Sequence, residues 1–125
     1  MKKVIHTANA PAAIGPYSQA IMANNTLFVS GQIAINPSTG ELEINERVKE
    51  THRVMKNIEA ILSEANLNWS HVVKASIFLK TMDDYALVNA VYGEYFKENP
   101  PAREAVQVVK LPKDVNVEIS VIAVK

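Results

Sequence analysis

The chain has 125 residues, no cysteine, and thirteen Lys plus Arg against thirteen Asp plus Glu. That length suffices for one domain with its own core, and the missing cysteines exclude disulfides, thiolate nucleophiles and Cys-ligated metals. Balanced charge leaves no net field to draw in polyanions, which argues against nucleic acid as the main partner. No run of membrane-spanning or signal-peptide type occurs, so the expectation is a single domain over residues 1–125 in the cytoplasm.

A short strand is expected at Lys3 to Ile5, followed by a loop, residues 7–16, where Pro11, Gly15 and Pro16 forbid regular structure. Tyr17 to Ala23 and Thr26 to Ser30 form a hairpin about Asn24-Asn25, a pair that tolerates positive φ. At Gly31 the missing side chain lets the backbone approach something closely, and residues 36–40 (NPSTG) make a turn. Asn45 is read as the N-cap of a first helix whose stripe is Val48, Val54, Met55, Ile58, Ile61, Leu62 and Ala65. Glu50, Lys56, Glu59 and Glu64 are expected to face water, and Asn66 to end the helix. His71 to Lys80 alternates as a strand, with Val73, Ala75, Ile77 and Leu79 on one side and Lys74, Ser76 and Phe78 on the other. Asp83 is read as the cap of a second helix, Asp84 to Phe96, burying Leu87, Val88, Val91, Tyr92 and Tyr95, before residues 99–101 (NPP) break it.

The last stretch, Pro101 to Lys125, gives two strands joined by residues 110–114. In the first, Arg103, Ala105 and Gln107 alternate with Val106 and Val108; in the second, the apolar row is Val115, Val117, Ile119, Val121 and Ala123. The order of elements predicts an α+β fold, a mixed β-sheet with two helices packed on one face. Arg103 and Glu118 are placed together on the other face, with Tyr17, Thr26, Phe28, Ser30, Ser76, Phe78, Gln107, Ile122 and Val124. Such a surface is too apolar for open water and too polar for a core. It predicts a homo-oligomer with polar clefts at its joints.

Other chemistry finds little support. His6, His52 and His71 lack ligand-spaced neighbours, so no metal site is expected; no Gly-x-Ser-x-Gly elbow or phosphate-cradling glycine loop occurs. Lys110, Lys113 and Lys125 are read as a solvated edge.

Several separated motifs, residues 12–17 (AAIGPY), 30–32 (SGQ), 88–89 (VN), 101–103 (PAR), 111–114 (LPKD) and 117–119 (VEI), make the chain resemble the RidA (YjgF) family of enamine/imine deaminases from end to end. The resemblance implies a chorismate-mutase-like fold of the bacterial trimeric type, a homotrimer, and an active site in each cleft between subunits. It implies that Arg103 clamps the carboxylate of a 2-imino or 2-enamino acid and that Glu118 orients the attacking water and moves protons. Tyr17, Ser30, Gly31 and Ala105 match positions that line the substrate, Ala105 through its backbone, whereas Asn89 reads as a structural hydrogen-bonder. No cofactor is implied, since an imine is already activated. Glu104 and Ala105 depart from the Ser-Cys that often follows this arginine, and Glu104 raises the question of competition for the guanidinium. The alternatives are an endoribonuclease or translation inhibitor, and a non-catalytic regulator that binds a carboxylate ligand.

Overall fold

The computed structural model describes residues 1–125. Six strands, β1 (Lys2–Ile5), β2 (Ala20–Ala23), β3 (Thr26–Gln32), β4 (Val72–Leu79), β5 (Ala102–Gln107) and β6 (Val117–Val124), form one sheet in the order β1-β2-β3-β6-β4-β5. Only β4 and β5 run parallel, as a crossover through a helix requires; every other pair is antiparallel. Helix α1 (Arg47–Glu64) packs across β3 and β6 and against α2 (Tyr85–Gly93), so both helices cover the same face. The sheet is mixed and the fold α+β.

The core lies between that face and the helices. Leu27, Ala75, Ile77, Leu79, Val117, Ile119 and Ala123 meet Val54, Met55, Ile58, Ile61 and Leu62 of α1 and Val88 and Tyr92 of α2, almost all inaccessible to water. Period-two burial along β4 and β6 matches the expected apolar rows. No helix is long and apolar enough to cross a membrane.

Local expectations fare unevenly, each for a physical reason. Asn24, with φ of 54°, turns the β2–β3 hairpin, and Asn66 (φ 60°) ends the first helix as read, since asparagine tolerates the left-handed region; Asn99 (φ 48°) lies beyond the second helix, which has already ended at Gly93. β2 starts at Ala20, not Tyr17: the Tyr17 N–H turns back to Gly15 O at 2.8 Å, and the first backbone bond to β3 is Ser30 N to Gln19 O at 2.9 Å. Asn45 does not cap α1; Glu46 occupies that position and makes no side-chain cap bond. The second helix begins with a separate 3-10 turn, Met82–Asp84, capped by the Thr81 side chain and not by Asp83, and ends at Gly93; it buries Val88, Val91 and Tyr92 but turns Leu87 outward. A register shift between Val72 and Lys74 buries Val72 and turns Val73 outward. Glu50 is fully buried, contrary to expectation.

The largest correction concerns β5. Ala75 pairs with Arg103 and Ile77 with Ala105, and these β4 residues face the helices. Arg103 and Ala105 therefore lie on the helix side, while Glu118, paired with Phe78, lies on the other. Arg103 and Glu118 do not share a face.

Candidate functional site

Glu118 defines the first half of the site. β3 meets β6 with a bulge: Val29 pairs with Val121 and Gln32 with Ile119, so Ser30 and Gly31 oppose Ser120 alone. Such a bulge bends the strand and re-aims what lies over it. The Glu118 carboxylate lies across Gly31, so closely that a Cβ there would stand 2.8 Å from Glu118 Cδ. Only glycine fits, which gives physical content to the close approach read from the sequence. Glu118 is half-buried, and neither hydrogen bond nor ion pair within the chain offsets its desolvation, so burial pushes its carboxyl above the usual carboxylate range.

Around it lies a small cleft of about 70 Å³, walled by Tyr17, Gly31, Ile14, Ile35 and Pro112 among others. Its roof is the loop over residues 7–16, held down by one buried side chain. Gln19 accepts from Thr7 N at 2.8 Å and donates through Nε2 to the carbonyls of Thr7, Ala10 and Pro11 at 3.0, 3.2 and 2.8 Å. A buried amide that satisfies four backbone groups fixes an otherwise irregular segment. Tyr17 Oη accepts from Ile14 N at 3.3 Å, which ties its ring to the same loop. The Ser30 hydroxyl is already committed, donating to Ser18 O at 2.6 Å, and Ser30 stands beside the cleft without lining it.

The floor of the cleft is set from beneath by Glu50. Its oxygens accept from Asn116 N and Asn116 Nδ2, both at 2.8 Å, and from Val117 N at 3.3 Å, with Arg47 Nη1 at 3.0 Å. Burial raises this carboxyl, and those bonds only partly oppose the rise. Glu50 thereby pins the start of β6 one residue short of Glu118.

The second half is Arg103. Its Nη1 donates to Asn89 Oδ1 at 2.7 Å and its Nη2 to Tyr85 Oη at 2.6 Å; the guanidinium carbon stands 5.1 Å from the Tyr92 ring centroid. All these partners belong to α2 and all are neutral. Arg47 has Glu50, and Arg53 lies 3.5 Å from Glu43; Arg103 is the one arginine without a carboxylate. Glu104 does not compete for it. Alternation turns Glu104 to the opposite face, where Lys74 Nζ lies 3.0 Å away and the Ser76 hydroxyl donates to it. Tyr92, buried beside the guanidinium, has its phenol pushed up to about 12 by burial, against the lowering effect of Arg103.

Tyr17, Gly31 and Glu118 are thus brought together, with Ser30 adjacent. Arg103 and Ala105 stand apart: two strands of lateral separation and three residues of stagger put Arg103 and Glu118 about 14 Å apart at their Cα atoms, across the sheet. Ala105 turns its methyl to the core, leaving only backbone at the edge strand. Gln19, Glu50 and Tyr85 escaped the sequence reading. For Glu50 the signal was available: it precedes Val54, Asn57 and Ile61 by four, seven and eleven residues, on the buried stripe. No three His, Cys, Asp or Glu side chains stand close enough together to hold a metal ion.

The family model described as Endoribonuclease L-PSP matches residues 7–125. A RutC family protein of Pyrococcus horikoshii is 53% identical over 125 residues, covering 100% of this chain and 99% of that one. The 2-iminobutanoate/2-iminopropanoate deaminase of Homo sapiens is 42% identical over 125 residues, covering 100% of this chain and 91% of the human protein. Among solved structures, the YjgF gene product of E. coli superimposes with a TM-score of 0.94 at 44% identity, covering 98% of each chain. With matches that run the whole length at such identity, the chain belongs to the RidA (YjgF) family.

Proposed function

We propose that this protein hydrolyses reactive 2-enamino and 2-imino acids to 2-keto acids and ammonia, without a cofactor. The observation that carries the reading is Arg103. A guanidinium that is preset by two neutral acceptors and has no carboxylate of its own is ready for a bidentate carboxylate from outside the chain. The human relative's name supplies the reaction class.

Glu118 supplies the proton chemistry. A carboxyl held above its usual range by burial exchanges protons closer to neutral pH than a solvated one. In the proposed sequence the enamine first tautomerises to the imine. The oxygen of a water in the Tyr17–Gly31–Glu118 cleft then bonds to C2 as Glu118 takes its proton. Glu118 gives that proton to the nitrogen, leaving a carbinolamine; the proton of the new C2 hydroxyl then passes to the same nitrogen, again through Glu118, and as C2=O forms the C2–N bond breaks and ammonia leaves a 2-keto acid.

Since Arg103 and Glu118 lie on opposite faces of one sheet, the reading requires two copies of the chain, the carboxylate anchor of one meeting the Glu118 cleft of the next. Three copies in a closed ring, as the resemblance implies, would form three such sites. Proteins of this family also carry the description endoribonuclease. The balanced charge gives RNA no net electrostatic attraction here.

The test is ammonia release from 2-iminobutanoate generated in the cuvette, run beside cleavage of an unstructured RNA by nuclease-free protein. Ammonia release above the spontaneous rate without RNA cleavage is expected. RNA cleavage without ammonia release would overturn the proposal.

A further inference from the structure

The cleft under Glu118 continues past its own wall. Pro11, Ala12, Ile14 and Ile35 border it and also border a second depression, roomier at about 290 Å³, that ends at Lys113. The two spaces are therefore neighbours along one groove, apolar in its middle and charged at its ends. Asn36 lines the second space, its Nδ2 donating to Glu43 and its Oδ1 accepting from Ser38 N, both at 2.8 Å. Lys113 is different. Asp114, its neighbour, is engaged by Lys80 at 3.2 Å, and Lys113 has no carboxylate of its own. Its backbone is also held in an expensive conformation: Lys113 and Asp114 are successive non-glycine residues at φ of 53° and 55°. Strain of that kind survives only where surroundings enforce it, and here it places a solvated, unpaired ammonium, exposed as expected from sequence, at the groove's end.

We infer that the second depression is a side-chain subsite of the proposed deaminase, and that it takes 2-imino acids whose side chain is a short methylene stem ending in a carboxylate, the stem lying on Ile14 and Ile35 and the charge meeting Lys113. This rests on the proposed function, which places C2 beside Glu118. The reaction itself is unchanged, water displacing ammonia at C2, with the distal carboxylate a spectator.

The experiment compares two probes on intact protein, by calorimetric binding and by turnover. The binding probes are 2-oxoglutarate and 2-oxobutanoate; the turnover probes are the corresponding imines. Wild type is expected to prefer the dicarboxylate. Lys113→Gln should weaken 2-oxoglutarate by about fivefold, the upper range for one exposed charge pair. Lys113→Glu should weaken it by more than about tenfold, since attraction is replaced by repulsion. Both variants should leave 2-oxobutanoate within about twofold of wild type, because Lys113 is remote from C2 in this reading.

A dicarboxylate that binds no better than 2-oxobutanoate, or that is indifferent to Lys113, overturns the subsite. If both imines are hydrolysed and Lys113 is indifferent, the subsite falls and the deaminase reading stands. If neither imine is hydrolysed but 2-oxoglutarate binding depends on Lys113, the groove stands as a dicarboxylate site and the deaminase reading falls.

Discussion

Glu118 and Gly31 show what one residue can and cannot reveal from sequence. That Gly31 admits a close approach was legible; that the approaching group is a carboxylate about seven-tenths of the chain away depends on the β3–β6 register and its bulge, which leave no local trace. Gly31→Ala puts a methyl into the Glu118 carboxylate. Overpacking of this kind costs about 1–3 kcal/mol, and the cheaper relief is rotation of Glu118 out of the cleft. The expected result is a large loss of turnover with a smaller loss of thermal stability, read by parallel assays and melts. Glu118→Gln keeps shape but cannot accept a proton, so turnover should fall by about 100-fold or more while 2-oxobutanoate still binds. Its stability should move the other way. Burial raises the folded-state pKa of Glu118 above its unfolded value, so the stability this group contributes is complete below the unfolded pKa and is lost as pH rises through the folded one. Glu118→Gln removes that loss. Its melting temperature should exceed that of wild type at pH 7, and the difference should shrink toward pH 4. A variant that melts below wild type at pH 7 would show that the ionised carboxylate has a stabilising partner in the assembled protein.

Among elements, α1, β4 and β6 were legible because their apolar rows are long and their polar rows distinct. β5 was not. One set of its alternating residues is Arg103 and Ala105, the other Glu104 and Val106, and each pairs one charged with one apolar side chain, so hydrophobicity does not choose a face. The parallel register with β4 makes the choice, and it carries Arg103 to Asn89 and Tyr85 on α2. Asn89 proves to be the hydrogen-bonder it was read as. The coupling of α1 to β6 was missed because a glutamate on an amphipathic helix is ordinarily solvated. Glu50→Ala would leave the Asn116 and Val117 N–H groups without their acceptor and Arg47 without its partner. Breaking a buried charged network in this way costs about 3–5 kcal/mol, to be read from urea unfolding midpoints. Activity should fall as well, although Glu50 touches no substrate, because a shift of about 1 Å at the start of β6 misplaces Glu118 and can cost on the order of 100-fold. A variant that unfolds as wild type does would refute the pinning role.

For the molecule as a whole, the question is what covers the sheet face that the helices leave bare. Ile21, Phe28 and Ile122 lie in one cross-strand row, Ser120, Ser76 and Glu104 in the next, and Glu118, Phe78 and Val106 in a third; Phe28 is 47% exposed and Val106 43%. The mixed face expected from sequence is there, minus Arg103 and Gln107, which the pairing of β5 with Ala75 and Leu79 carries to the helix side, and with Glu104 added. Light scattering should give a mass near three chains. A stricter test uses the separation of the two half-sites. Arg103→Ala should lose at least about 100-fold in kcat/KM, and Arg103→Lys should recover little, since an ammonium cannot make two parallel hydrogen bonds to a carboxylate. If each site takes Arg103 from one chain and Glu118 from its neighbour, then Arg103→Ala and Glu118→Gln damage different contributors. Equal amounts of the two inactive variants, unfolded together and refolded, should place an intact arginine against an intact glutamate at random in about one quarter of the sites of a closed ring. Activity should return to about that fraction of wild type, while each variant refolded alone stays inactive. If both residues of a site came from the same chain, every mixed assembly would contain only singly damaged sites and nothing would return. Full dead mixtures from proteins that co-assemble by mass would therefore remove the shared-cleft mechanism, whatever the oligomer's size.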